Sequence, residues 1–382
     1  MKNILAIIIY MNLFLTVFAQ KTDKNFKKGN EIKVKIENTL DLPRKEEVIE
    51  LDWALLTQKN AQIMLAQFIV INSTTAEQLP YQIINNESGK PEKLLVQISL
   101  TPLSNIELSI KKGTPNTFKT KTFGRLVPER MDDFAWENDK IAFRMYGPAL
   151  QATGEISSGI DVWAKRTPEM VIDKWYKLND YHKDNGEGLD FYKVGPTLGA
   201  GGIAPFANGK LCYSKNWASY KLLTTGALRT VFELSYQPWN FNGIEISETK
   251  RITLNAGSQL NQVEVIYDTK GLDTIPVVIG IIKRNENGVL VMDEQEGFMS
   301  YWEPANKKNG TTGIGIIVPD NKGMTVAENH LLAFSNAINK KPFKYFQGAC
   351  WDKAGEIKNE SDWTIYLKEY ALKLHNPLII SF

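Results

Sequence analysis

The sequence predicts a mainly all-β fold: an N-terminal β-sandwich followed by a large antiparallel two-layer sheet assembly with two short helices. Short segments alternate apolar and polar residues with period two, and clusters of turn residues separate them. Helical spacing occurs only twice, without the β–α–β alternation that a parallel sheet requires.

In the first region, residues 28–115, Ile32-Lys33-Val34-Lys35-Ile36 alternates cleanly, as do Glu47 to Leu51, Leu94 to Leu100 and Ile106 to Ile110. Asn72-Ser73, Asn85-Asn86 and Ser88-Gly89-Lys90-Pro91 punctuate these strands, with no convincing helix among them. The size and spacing suit an immunoglobulin-like sandwich, and Lys111 to Asn116 makes a domain boundary. The second region, residues 120–382, carries longer strands: Ala227 to Tyr236, Ile244 to Leu254, Gln262 to Tyr267 and Thr274 to Ile282. Thr167-Pro168 signals a helix start, with Val171, Ile172, Trp175 and Tyr176 at helical spacing. Near the end, Ser361 caps a helix whose Trp363, Tyr366, Leu367, Tyr370 and Leu374 form one apolar stripe, stopped by Asn376-Pro377.

Residues 1–19 combine Lys2, an apolar run from Ile4 to Phe18, and Val17-Phe18-Ala19 before Gln20, the pattern of a cleavable signal peptide. The expected product acts in the periplasm or outside the cell, with no membrane association after cleavage, since no later stretch is long and apolar enough to span a bilayer. With 45 basic and 43 acidic residues, nothing points to a nucleic-acid partner. The two cysteines, Cys212 and Cys350, leave both a single bridge and two separate thiols open. Oligomeric state is not legible.

The densest polar motif runs from Phe134 to Pro148. Period two puts Ile141, Phe143 and Met145 on one side, with Ala142, Arg144 and Tyr146 on the other. Glu137, Asn138 and Asp139 precede that strand, and the two acids are expected to pair with Arg144 or a neighbouring base. Gly159 to Arg166 repeats the design: Asp161, Trp163 and Lys165 share a side opposite Ile160, Val162 and Ala164, and an exposed Trp163 beside charges would suit a sugar ring. Trp302-Glu303 and Trp351-Asp352 again place a tryptophan before an acid. Tyr181-His182 lies in a polar, Gly-rich loop and makes a natural acid/base pair, with His330 as a second candidate. Asp184, Asn185, Glu187 and Asp190 could hold a metal, but without EF-hand register, so no cofactor is expected. Gly195 to Gly202 lacks the ending of a phosphate loop, and its glycines read better as strand-bending. A Gly-x-Ser-x-Gly elbow, a His-Glu-x-x-His motif and a Cys-x-x-Cys pair are all missing from the sequence.

Gly124-Arg125, Pro128-Glu129-Arg130 with Asp132-Asp133, Phe134 to Pro148, Gly159 to Trp163, His182 to Gly202, Trp302-Glu303-Pro304, Gly348 to Asp352 and Asp362-Trp363 together resemble the domain-of-unknown-function family 4861. The resemblance covers most of the mature chain. It implies a secreted protein of polysaccharide-degrading Bacteroidota with a galactose-mutarotase-like supersandwich, keeping company with enzymes of uronic-acid oligosaccharides. Cys350 stands where the family pattern has a small residue, which speaks against a function for this thiol.

The partner implied is an acidic oligosaccharide or polysaccharide. The leading expectation is a lyase or dehydratase in which Arg144 neutralises a uronate carboxylate, His182 or Tyr181 takes the adjacent proton, and His330 or Tyr146 assists the leaving group. Arg125, Glu137, Asn138, Asp139, Asp161, Trp163, Lys165, Trp302, Glu303 and Trp351 would bind the sugar. The alternatives are a hydrolase or epimerase using Asp139 and Glu303 as acid and base, and a glycan-binding protein with Trp163 and Trp302 as platforms.

Overall fold

A computed structural model describes residues 29–178 and 180–382, so the expected signal peptide lies outside the described residues. The fold is mainly β, built from antiparallel sheets. Near the N-terminus, Glu31–Glu37 pairs with Asn105–Lys112 and alternates perfectly, its Ile32, Val34 and Ile36 turned inward. Its four-stranded sheet packs on a three-stranded sheet of Arg44–Asp52, Pro91–Leu100 and Tyr81–Asn85 around Val34, Leu51, Leu94, Val96 and Leu108. The C-terminal strand Ile379–Ser381 returns to pair with Glu31–Glu37 and completes the four-stranded sheet.

A helix over Trp53–Met64 closes this core with Leu56, Ile63 and Met64, contrary to the expectation of strands alone. Asp52 caps it by accepting from the Leu55 N–H at 2.8 Å. The polar run Thr57-Gln58-Lys59-Asn60 masks its period in the sequence, and Asn60 breaks it with non-helical backbone angles.

Beyond residue 120 an antiparallel eight-stranded sheet faces two five-stranded sheets. One of these consists of Thr122–Val127, Asp133–Asn138, Ala142–Met145, Asp161–Lys165 and Gly188–Asp190; the other is centred on Thr274–Ile282. One core joins all three sheets: Phe134, Trp136 and Phe143 meet Phe232, Val263 and Ile314, and Ile279 enters from the third side. Phe134 stacks on Phe232 with ring centroids 4.1 Å apart, and Trp136 donates to the Asn261 carboxamide at 2.8 Å. Gly201, at φ 99°, sits in a bulge where a Cβ would come within 2.6 Å of Gln347, so the strand-bending role read for the Gly195 to Gly202 run holds there.

The last helix, Glu360–His375, lies on the outer side of the eight-stranded sheet and seats Trp363, Leu367 and Ala371 against Phe298, Ile317 and Phe346. Its cap is Asn359, which accepts from the Asp362 N–H, not the expected Ser361. The earlier helix is only one turn, Ile172–Trp175, much shorter than the predicted start at Thr167. Cys212 and Cys350 are both free thiols. Among the described residues no helix is long and apolar enough to cross a membrane.

Replacing the fully buried Trp363 by alanine removes the anchor of the last helix and should cost about 3–5 kcal/mol. A urea unfolding curve should show the midpoint falling accordingly; an unchanged midpoint would mean that the helix does not contribute to the core.

Candidate active site

The five-stranded sheet of Asp133–Asn138 and its neighbours has two opposite characters. Phe134, Trp136, Phe143, Met145 and Val162 enter the central core, as period two requires. The other side carries Asp133, Ala135 and Glu137, then Ala142 and Arg144, then Asp161, Trp163 and Lys165, then Asp190. Register aligns them: Arg144 stands opposite both Ala135 and Asp161, and Trp163 opposite Asp190. Residues 171–178 and Tyr181 cover this side, with Ile172, Trp175, Tyr176 and Tyr181 packed on Trp163 and Ala142.

Arg144 is the hub. Its guanidinium donates to Asp161 at 2.5 and 2.9 Å and to Asp190 at 2.9 Å, and lies 3.5 Å from Asp133. Its side chain is only 5% exposed. Burial opposes its charge, yet Asp161 and Asp190 hold its proton well above the ordinary arginine range. Burial and the neighbouring acids lift two of the carboxyls: Asp190 rises well above the usual range, and Asp133 is pushed up to about 7.

Three tyrosines and a histidine ring this hub. The Tyr146 hydroxyl donates to Asp161 at 3.1 Å, so its hydrogen is already engaged. Tyr176 reaches Asp133 at 3.4 Å. The Tyr181 oxygen accepts from Arg130 Nε at 2.9 Å and from Arg144 Nη1 at 3.2 Å. Two permanently charged donors fill the two lone pairs of that oxygen, so its own hydrogen points away from both. The ring of His182 lies 4.4 Å from that of Tyr181. His182 Nδ1 is 3.0 Å from the Asp190 backbone oxygen and 3.5 Å from its carboxylate. Those acceptors place the proton on Nδ1 and leave Nε2 as a lone-pair acceptor on an exposed side chain.

The arrangement unites Arg144, Tyr146, Asp161, Trp163, Tyr181 and His182, and corrects several expected details. Glu137 and Asp139 do not pair with Arg144; for Glu137 the other expected partner, a base on another strand, is the one found. Glu137 binds Lys165 at 2.7 Å with both side chains fully buried, and accepts the N–H groups of Val171 and Ile172 at the start of the one-turn helix. Asp139 accepts from Gly257, and Asn138 ties down the backbone of Asn255 and Ser258. Trp163 is no exposed platform: it is fully buried, stacked between Trp175 and Tyr181, with the Arg144 guanidinium 5.5 Å from its ring. Lys165 is likewise buried, at the wall of the cleft beside Trp351, its ammonium held by Glu137 and its proton loosened by burial.

The remaining residues lie elsewhere. His330 is buried, its Nε2 accepting from the Leu198 N–H and its Nδ1 facing the Glu328 carbonyl, so both ring nitrogens serve the backbone. Glu303 pairs with Arg284 at 2.5 Å and with Thr312. It shares no network with Asp139, and an acid/base pair of the two has no geometric basis. Trp302 packs with the last helix. Trp351 is buried beneath Arg166, whose guanidinium lies 4.9 Å from the ring. It borders a separate cleft of about 240 Å³ with Asp139, Lys140 and Gln259. Arg125 belongs to a surface network with Asp173 and Glu129. The acids of the 184–190 loop are each paired with a cation, Asp184 with Arg166, Glu187 with Lys174 and Asp190 with Arg144.

Sequence reasoning assigned no role to Asp133, Arg130, Tyr176 or Asp190 in acid/base work. Asp133 follows two consecutive left-handed residues, Met131 at φ 53° and Asp132 at φ 61°, conformations uncommon outside glycine. Gly147 permits that turn: a Cβ there would lie 2.0 Å from the Asp132 carbonyl oxygen.

Lys165→Met strands the buried Glu137 carboxylate and should destabilise the protein by about 3–5 kcal/mol, with partial recovery in Lys165→Met/Glu137→Gln. Denaturant unfolding at pH 7 checks both. For Asp133, the folded state holds a proton up to about pH 7 while the unfolded carboxyl releases it near 3.8. Folding therefore binds the proton between those values, and stability falls as pH rises through that window. Against wild type, Asp133→Asn should remove this decline; parallel stability–pH profiles would contradict the assignment.

Residues 36–380 match the family described as "Domain of unknown function (DUF4861)". The chain is 34% identical over 374 residues to "Uncharacterized protein P7" of Formosa agariphila, covering 91% of this chain and 92% of that protein. Among solved structures, it is similar to a protein in the glycosyl hydrolase family 38 from Enterococcus faecalis, with a TM-score of 0.47, 10% identity, and coverage of 92% of this chain and 47% of that one. It is also similar to an alpha-mannosidase from Enterococcus faecalis V583, with a TM-score of 0.41, 10% identity, and coverage of 92% and 46%. This chain thus spans about half the length of those two structures. By a match over nearly its whole described length, together with a full-length relative, the chain belongs to the DUF4861 family.

Proposed function

We propose that the protein is a carbohydrate-active enzyme of polysaccharide breakdown that eliminates across a bond next to a uronate carboxyl, as a lyase or dehydratase. One observation carries this reading: His182 and Tyr181 sit ring against ring with opposite proton roles prepared. His182 Nε2 has a free lone pair because Nδ1 faces Asp190, and Tyr181 has an outward hydrogen because two arginines occupy its oxygen. His182 takes the proton from the carbon beside the carboxyl, and the electron pair of that C–H bond becomes the new C=C bond. The C–O bond at the next carbon breaks with its pair going to oxygen, which receives the Tyr181 proton. Solvent exchange then returns a proton to Tyr181 and removes one from His182. Arg144 contacts no substrate in this scheme; it positions Tyr181 and keeps Asp161 and Asp190 in place.

The expected leader of residues 1–19 would put the reaction in the periplasm or outside the cell. The committed hydrogen of Tyr146 and the backbone-bonded rings of His330 leave the leaving-group role to Tyr181.

Incubation with a panel of uronate oligosaccharides should produce the ultraviolet absorbance of a conjugated double bond. Tyr181→Phe and His182→Ala should each lower turnover by about 10²–10⁴-fold, the range of a lost acid or base, while melting at nearly the wild-type temperature. A folded wild type that yields no absorbance on any member of the panel would defeat the elimination reading.

A further inference from the structure

We infer that Arg130 is the receptor for the substrate's carboxylate, a role for which Arg144 has no free edge; this rests on the acid–base reading of the same site. Among the described residues each of the other seven arginines lies within salt-bridge distance of a carboxylate. Arg130 alone has none. Its side chain is half-buried, and the single bond that orients it runs from Nε to the Tyr181 oxygen. That leaves both terminal Nη groups as a fork of N–H donors, the geometry that grips a carboxylate with two parallel bonds.

The chemistry fits the position. No carboxylate lies within salt-bridge distance of this half-buried arginine, and although Asp133 attracts it from further away, its open edge can still take an anion, more strongly than at a fully solvated surface. Because Nε holds the proposed acid Tyr181, an anion on the Nη edge would lie on the far side of the same guanidinium, fixed relative to that hydroxyl. Arg144 cannot serve: three aspartates surround it and its side chain is 5% exposed. The left-handed pair Met131-Asp132 turns the chain directly after Arg130 and carries it on to Asp133, so the arginine sits in the turn before the strand, with its Nε on Tyr181, and not along the strand. The ligand class is an anionic saccharide with a carboxylate.

Calorimetric titration of the full protein compares uronate tetrasaccharides built on glucuronate, galacturonate or mannuronate with their carboxyl-reduced counterparts. At least one acidic form should bind wild type about tenfold or more tightly than its neutral counterpart. Arg130→Met should erase that preference, Arg130→Lys should keep part of it, and Arg125→Met, on an arginine committed to Asp173 and Glu129, should leave it intact. Equal binding of acidic and neutral forms by wild type, binding of neither, or a preference that survives in folded Arg130→Met and Arg130→Lys overturns the assignment. A preference that depends on Arg130 with no double-bond product sustains the receptor and removes the elimination step instead.

Discussion

A buried arginine facing three aspartates organises this protein's polar side. Taken alone, each of those carboxylates would be expensive to desolvate, and so would Arg144. Together they form a nearly dry hub, but three acids against one central cation leave surplus negative charge. The structure answers in two ways. Asp133 and Asp190 hold their protons to higher pH, and Arg130 approaches from the rim, its charge felt by Asp133 and Asp190 and its Nε bonded to Tyr181. The side chains with chemical reach, Tyr181 and His182, are fixed by the same hub through Arg144 and Asp190. Their placement is thus a consequence of how the charge is buried.

The sheet makes this possible by keeping its two sides apart. Its inner side is an aromatic and aliphatic layer locked to the eight-stranded sheet through Trp136, Phe143 and Phe232. The outer side is covered by residues 171–178 and by Tyr181. Glu137 holds that cover down by capping the Val171 and Ile172 N–H groups while paired with Lys165. A second buried ion pair on the same sheet therefore supports the first: it anchors the segment that delivers Tyr176, Tyr181 and His182.

Much of this was legible in the residues. Period two separated Phe143 and Met145 from Arg144, and Val162 from Asp161 and Trp163, because a strand's alternation is a local property. The C-terminal stripe of Trp363, Tyr366, Leu367 and Tyr370 was equally local. Partner choice was not, since it depends on register between strands distant in sequence. Glu137 stands one pleat away from Arg144, beside Ala142, and finds Lys165, while Asp161 aligns directly with Arg144. Trp163 looked like a platform because charges flank it; a segment a dozen residues later covers it. The helix after Asp52 escaped notice because its polar middle and the break at Asn60 blur the 3.6-residue period, although the cap itself was a usable signal. Arg130 drew no attention as a site residue, for only the folded neighbourhood reveals that it lacks an acid.

On the proposed reading, the Arg144 hub presents Tyr181, His182 and Arg130 toward one bound uronate. A crystal structure of Tyr181→Phe soaked with an acidic tetrasaccharide tests this most directly. The account predicts the sugar carboxylate on the Nη edge of Arg130, with the adjacent carbon in reach of His182 Nε2 and Arg144 still held by its three aspartates. A sugar seated instead in the cleft beside Trp351, or one whose carboxylate displaces Asp161 from Arg144, would contradict it.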